Sequence, residues 1–152
     1  MTIRSTSILC AAALATLCGG PVHPAQYLEP TNAQRSYGAG VVTEGGRIVW
    51  LAGMGGTVAA DGKKIPDIAG QTRQTFRNID AALKRAGGSL ENVVSMTVMI
   101  RNQADGDEFV KIRGEFFKSK FPASMLITAK DFANSDLLVE IQSVAVIGDQ
   151  LK

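Results

Sequence analysis

The side chains that most often do chemistry are scarce in this chain and lie near its start. The only histidine is His23, and the two cysteines are Cys10 and Cys18. This set is too small for a zinc site of the usual Cys/His kind, so no metal site is predicted. From residue 26 onward there is neither histidine nor cysteine, which excludes Ser-His and Cys-His catalysis there. Acid–base chemistry must then use carboxylates, lysine, tyrosine or bound water.

The first 25 residues have the composition of an export signal. Arg4 supplies a positive charge, Ser7–Cys18 is an uncharged run of apolar and small residues, and Gly19–Pro21 interrupts it. The run is too short to cross a bilayer, which takes about 20 apolar residues. A charged start, a short apolar stretch and a small-residue exit are typical of a secretory signal peptide.

We therefore predict a signal peptide over residues 1–25, cleaved after Ala25. The mature domain, residues 26–152, is expected to be periplasmic or secreted and to have no stable membrane association after cleavage. Cleavage after Gly20, lipoprotein cleavage before Cys18, and a buried N-terminal helix of a cytosolic protein are the alternatives.

The length and composition indicate one ordinary globular domain. The chain has 152 residues, of which 45% are hydrophobic and 20% are charged, with a formal net charge of +2. Because this charge is low and no basic stripe is present, nucleic-acid binding is not predicted. The sequence contains no P-loop, GxGxxG or GxSxG motif.

Patterns of apolar residues predict the elements that hold any site together. Gln26–Ser36 is polar and contains a proline, so it is expected to be an irregular lead-in. Gly40–Thr43 and Arg47–Ala52 are rich in Val and Ile and are predicted to pair as a hairpin around the turn Glu44-Gly45-Gly46. A second turn is predicted at Ala60-Asp61-Gly62.

Two helices and three more strands are predicted downstream. Gln71–Ala86 and Asp107–Lys118 repeat apolar residues at helical spacing, and Gly87 ends the first of them. The strands are Val93–Ile100, Ser124–Ala129 and Leu137–Ile147. This order predicts an α+β fold, a mixed sheet with two helices packed on one face. Trp50 and the phenylalanines are expected in the core.

Several strings in this framework resemble the RidA/YjgF family of reactive-intermediate deaminases. Five occur in the family's order and at near-family spacing: Gln71–Ile79 (QTRQTFRNI), Ala86–Val94 (AGGSLENVV), Phe116–Phe117, Phe121–Ala123 (FPA) and Val139–Gln142 (VEIQ). The resemblance covers nearly all of residues 36–149 and implies the family's chorismate-mutase-like fold.

The resemblance also implies a function and an assembly. Members of the family form homotrimers whose small-molecule clefts lie between subunits, and they hydrolyse 2-imino acids to 2-oxo acids and ammonia without a cofactor or metal. An arginine holds the substrate carboxylate with its planar fork, and a glutamate helps to position the attacking water.

Carried over to this sequence, the motif assigns four site residues. Glu140 matches the family's glutamate and is the predicted catalytic residue, while Tyr37, Gly53 and Ser124 are predicted to contact substrate. Each residue also has a purely structural interpretation. Glu140 would lie on a solvated sheet face, Tyr37 would be an interface aromatic, Gly53 would serve the backbone geometry and Ser124 would be a small spacer.

The sequence departs from the family at the substrate anchor. The arginine that follows FPA in the family is Ser124 here, and an asparagine of the second helix is replaced near Val110. Lys130 lies too far along the strand to take the vacant place. Arg101 and Arg113 are expected to help only from a neighbouring subunit. The predictions are therefore an imine or enamine hydrolase with a doubtful standard substrate, or a non-catalytic binding trimer.

Overall fold

The computed structural model describes residues 23–148, in which six strands and two helices follow one another. The strands are β1 His23–Asn32, β2 Tyr37–Glu44, β3 Arg47–Trp50, β4 Val93–Ile100, β5 Ala123–Thr128 and β6 Val139–Ile147. The helices are α1 Ile68–Arg85 and α2 Gly106–Phe116. Residues 1–22 of the predicted signal peptide lie outside the described residues, so that peptide stays a prediction.

The six strands form one mixed sheet in the order β1-β2-β5-β4-β6-β3. The apolar strand β4 lies inside the sheet, parallel to β5 and antiparallel to β6. Its register places Met96 opposite both Ser124 and Ser143, and Met99 opposite both Ile127 and Glu140. The predicted α+β fold with a mixed sheet is confirmed.

Both helices pack against the same face of this sheet. Helix α1 begins after Asp67, whose Oδ1 accepts a hydrogen bond of 2.7 Å from the Gly70 N–H. It buries the predicted stripe of Phe76, Ile79 and Leu83. The core also contains residues of α2, β4 and β6, namely Phe109, Val110, Met96, Val98, Ile100, Val139, Ile141 and Ala145.

The predicted irregular lead-in is wrong, because most of it forms β1. This strand pairs antiparallel with β2, and its register shifts between His23 and Gln26 and again between Leu28 and Thr31. Each shift spans a proline, Pro24 or Pro30. An edge strand tolerates residues that cannot donate to a ladder, so the proline did not exclude a strand here.

The predicted hairpin between β2 and β3 is also wrong. Among the described residues β2 pairs with β1 and, at Gly38 and Ala123, with β5, whereas β3 pairs with β6 at the other edge. Gly45 and Gly46 still turn the chain with positive φ angles of 80° and 75°. The partner that the hairpin prediction assigned to β2 is replaced by β1.

Two smaller predictions have opposite outcomes. The turn at Ala60-Asp61-Gly62 is confirmed, since the Gly62 N–H donates to the Ala59 carbonyl and Gly62 has a φ of 83°. Trp50 is not a core residue, because 72% of it is exposed. In β3 Val49 lies opposite Ala145 and faces the core, so alternation turns Trp50 to the other face.

None of the helices in residues 23–148 is long and apolar enough to span a membrane.

Candidate functional site

The pairing of the central strands assigns the predicted site residues to two opposite faces of the sheet. Ser124 lies in the row of Met96, a core residue, and therefore on the face that the helices cover, here called the helix side. Glu140 lies in the row of Met99 and Ile127, on the other face, here called the outward face. Successive side chains of a strand alternate, so residues 124 and 140 cannot share a face in this register.

On the outward face Glu140 lies directly against Gly53. The segment after β3 is bound to β6, because Met54 and Ile141 exchange two backbone hydrogen bonds of 2.9 Å. This brings Gly53 so close that a Cβ atom on it would lie 2.1 Å from Glu140 Oε1. The structure therefore brings these two predicted residues together, and a side chain at position 53 would make the Glu140 carboxylate move.

The Glu140 carboxylate is half-buried and is available for chemistry. It takes part in none of the hydrogen bonds and ion pairs formed within residues 23–148. The outward face also carries exposed apolar side chains of two strands, Ile48 and Trp50 of β3 and Met125 and Ile127 of β5. A carboxylate at the edge of an apolar surface can accept a proton from a bound water molecule.

On the helix side Ser124 contacts an arginine of the same chain. Arg113 of α2 donates from Nη1 to Ser124 Oγ at 2.9 Å, and its Nη2 donates to the Arg35 carbonyl. Its guanidinium lies 6.0 Å from the centre of the Tyr37 ring and 5.4 Å from that of Phe109. The helix side thus brings together Tyr37 and Ser124, two predicted site residues, around a cation.

This contact corrects the expectation that Arg113 helps only from a neighbouring subunit. Helix α2 crosses the helix side of β5, and Arg113 lies on the same helical stripe as Phe109 and Val110, which face the sheet. An arginine within an apolar stripe is the signal in the sequence that could have indicated this position, and the prediction from the sequence missed it. Val110, where the family's asparagine is missing, lies one turn before Arg113 and is buried.

Arg113 is an unusual arginine because only 2% of it is exposed. Burial first, and then the nearby positive charge of Arg35, lower the pKa of its guanidinium to about 10. Arg113 therefore stays charged at neutral pH. Its Nε is buried without a hydrogen-bond partner among the described residues.

The other predicted cations lie elsewhere. Arg101 donates from Nε and Nη2 to the carbonyls of Leu137 and Ser135, so it braces the loop before β6. Lys130 is exposed beyond the end of β5. Within residues 23–148, no group of three or more His, Cys, Asp and Glu side chains is arranged to bind a metal ion.

Comparison with known proteins agrees with this fold. Residues 29–147 match the family model described as endoribonuclease L-PSP. The chain is 30% identical over 103 residues to a 2-iminobutanoate/2-iminopropanoate deaminase of Dermatophagoides farinae, covering 67% of this chain and 80% of that protein. It is 33% identical over 81 residues to the 3-aminoacrylate deaminase RutC of Acinetobacter baylyi, covering 53% and 64%.

A third relative and a solved structure extend the comparison. The RutC family protein PH0854 of Pyrococcus horikoshii is 34% identical over 79 residues, and the chain spans 62% of its length. The Rid family protein YyfB of Yersinia pestis has the same fold, with a TM-score of 0.72 at 23% identity over 81% of this chain and 98% of that one. The match over most of the chain, on this sheet and these helices, shows that the protein belongs to the RidA/YjgF family.

Proposed function

We propose that this protein is a hydrolase that deaminates small imines or enamines without a metal or cofactor, in a cleft between copies of a homotrimer. The observation that carries the proposal is the Glu140 carboxylate, which lies against Gly53 on the outward face and has no partner within residues 23–148. Relatives whose names specify 2-iminobutanoate, 2-iminopropanoate and 3-aminoacrylate deamination support the reaction class.

The chemistry requires one water molecule and one proton acceptor. Glu140 accepts a proton from water as the oxygen attacks the C=N carbon, which forms a tetrahedral carbinolamine. The nitrogen takes this proton from Glu140 and then the hydroxyl proton of the carbinolamine, so the C–N bond breaks, ammonia leaves and the oxygen becomes a carbonyl. An enamine reaches the same path after it tautomerises to the imine. The sum is imine plus water to carbonyl compound plus ammonia, so no oxidant or reductant is needed.

The two groups of site residues explain why a second copy is needed. Glu140 and Gly53 lie on the outward face, whereas Tyr37, Ser124 and Arg113 lie on the helix side. Because the two groups lie on opposite faces of one sheet, we propose that a substrate contacts them from two copies. In the proposed trimer the Glu140 group of one copy meets the Arg113 group of the next, and the exposed apolar outward face is covered by a neighbour.

A non-catalytic binding protein is the second candidate. The observation that favours it is Ser124, which leaves the strand without the arginine that holds the substrate carboxylate in the family. A trimer that kept the cleft but not the anchor would still bind a small metabolite. Turnover distinguishes the two candidates, because only the hydrolase accelerates imine loss.

The first experiment measures hydrolysis of imines generated in situ from several amino acids, among them serine and threonine. The wild-type protein is expected to accelerate ammonia release above the spontaneous rate. Glu140→Gln should reduce the catalysed rate by about a hundredfold or more, because an amide cannot accept the proton from water. A family member with the strand arginine serves as the positive control.

A matched variant separates loss of the carboxylate from general damage. Glu91→Gln makes the same change at an exposed glutamate before β4 and should leave turnover at the wild-type value. Thermal melting should show that both variants are folded. Unchanged turnover in Glu140→Gln would remove Glu140 from the mechanism, and a folded wild-type protein without turnover would leave the binding role.

A further inference from the structure

The cation on the helix side lacks the partner that a buried charge normally has. Arg113 is 2% exposed, yet none of the ion pairs formed within residues 23–148 includes it. Its hydrogen bonds go to two neutral acceptors, Ser124 Oγ and the Arg35 carbonyl, and its Nε donates to none of the described groups. Buried charges are rare without an opposite charge, so this geometry indicates an anion that is not part of residues 23–148.

A second arginine lies next to this one. Arg35 presents its carbonyl to Arg113 and is held in a turn by two bonds from its N–H to Asn32, one to the carbonyl at 3.1 Å and one to Oδ1 at 3.0 Å. Its Nη1 lies 3.2 Å from Asp107 Oδ1, and both side chains are exposed. An exposed pair of this kind is weak, so an incoming anion can replace Asp107 as the partner of Arg35.

An open groove lies beside Arg35. It has a volume of about 730 Å³ and is bounded by Arg35, the start of α2 and the end of β5, including Leu126 and Thr128. Leu126 and Thr128 lie on the same face of β5 as Ser124, two and four residues further along. The groove therefore adjoins the face of β5 that carries Ser124, and Ser124 in turn contacts the Arg113 guanidinium.

We propose that Arg113 is the carboxylate anchor of this protein, reaching from α2 the place that the family fills with an arginine on β5. The proposal rests on the proposed function for the identity of the ligand, a small 2-imino or 2-oxo acid. The Nε–H of Arg113 lies on the same edge of the guanidinium as Nη2, and this edge offers the carboxylate a fork. The Ser124 hydroxyl, which now accepts from Nη1, can rotate and donate to the same carboxylate.

The proposal also explains why position 124 carries a small residue. An arginine there would place a second guanidinium against the buried one of Arg113, and two unpaired like charges in contact are unfavourable. Serine instead leaves space for the side chain of Arg113 and supplies a hydroxyl to it. Positions 113 and 124 therefore act together: the cation that the family carries on the strand is carried by helix α2 in this protein.

Binding of a stable 2-oxo acid product tests the proposal without any need for turnover. Isothermal titration calorimetry with 2-oxobutanoate and with its uncharged amide, 2-oxobutanamide, measures how much the carboxylate contributes to the binding affinity. We expect the full chain to bind 2-oxobutanoate and to bind the amide at least about tenfold more weakly. Arg113→Gln should weaken 2-oxobutanoate binding about tenfold to a hundredfold and leave binding of the amide unchanged.

Two further variants make this result specific. Arg85→Gln, at an exposed arginine of α1 that donates only within its own helix among the described residues, should bind 2-oxobutanoate like the wild type. The double variant Arg113→Gln with Ser124→Arg returns the cation to the strand and should recover most of the lost affinity. A purely structural role for Arg113 would not predict recovery by a cation at position 124.

The outcomes separate this proposal from the proposed function. Wild-type affinity for 2-oxobutanoate in folded Arg113→Gln, or equal binding of acid and amide by the wild type, would overturn the anchor. If Arg113→Gln does not fold, recovery in the double variant decides, and its absence in a folded double variant counts against the anchor. Loss of turnover in Glu140→Gln tests the proposed reaction, whereas loss of 2-oxobutanoate binding in Arg113→Gln tests the anchor, so the two failures are assigned to different residues.

Discussion

At the scale of single residues, the candidate site consists of two contacts, one between Gly53 and Glu140 on the outward face and one between Arg113 and Ser124 on the helix side. Glu140 and Gly53 match family strings and do lie together. Ser124 is recognisable as a departure from the family, but its partner Arg113 was expected from another subunit. Serine at position 124 is smaller than the family's arginine and leaves space beside β5. The side chain that fills this space depends on how helix α2 crosses β5, and short sequence motifs do not give that crossing.

The contact between Gly53 and Glu140 gives a prediction at this scale. In Gly53→Ala the new methyl group would collide with Glu140 Oε1 and force the carboxylate to turn away. Turnover of the imine should fall about tenfold or more, since displaced catalytic groups lose rate steeply. Stability should change little, because Gly53 is exposed and its φ is not positive.

Gly62→Ala is the matched control for that substitution. Gly62 has a φ of 83°, and a Cβ atom on it would have no neighbour within 4 Å, so alanine is strained there but reaches no site residue. We expect a loss of about 1 kcal/mol in unfolding free energy with normal turnover. Denaturant unfolding and steady-state rates should be measured for both variants. Wild-type turnover in Gly53→Ala would contradict the prediction that the Glu140 carboxylate is displaced.

At the scale of elements, predictions succeeded where local sequence decides and failed where distant pairing decides. Helices α1 and α2 and strands β4, β5 and β6 lie within a few residues of their predicted bounds, because their apolar periodicity is strong. Strand β1 was not predicted because its prolines are tolerated only at a sheet edge. The predicted partner of β2 is wrong because the glycines Gly45 and Gly46 indicate only that the chain turns. They do not indicate which strand pairs with β2.

Strand β3 supplies the prediction at this scale. It places Trp50 on the outward face with 72% of the residue exposed, next to the β6 strand that carries Glu140. If that face is covered in a trimer, Trp50→Glu buries a charge at the contact and should dissociate it. Native mass spectrometry should then show single chains, whereas the wild type and Trp50→Phe give three times the chain mass. A wild-type protein found only as single chains would contradict the proposed assembly.

At the scale of the whole molecule, the fold class was predictable and the assembly was only implied. The order of elements predicts a mixed sheet with helices on one face, and the sheet has that form. The trimer, the ligand and the export of the chain rest on resemblance and on the N-terminal composition. Side-chain alternation alone would have shown that residues 124 and 140 face opposite ways, had the register of β5 and β6 been known.

The opposite facing of the Glu140 and Arg113 groups has a consequence for genetics. If each cleft draws the two groups from different chains, two inactive variants can complement each other. Mixed trimers of Glu140→Gln and Arg113→Gln chains would contain some clefts with both wild-type groups. Random mixing in equal amounts gives about a quarter of such clefts, and activity should return to about that level only after the subunits are unfolded and reassembled together. A site built from a single chain would give no recovery, because every copy would keep its own defect.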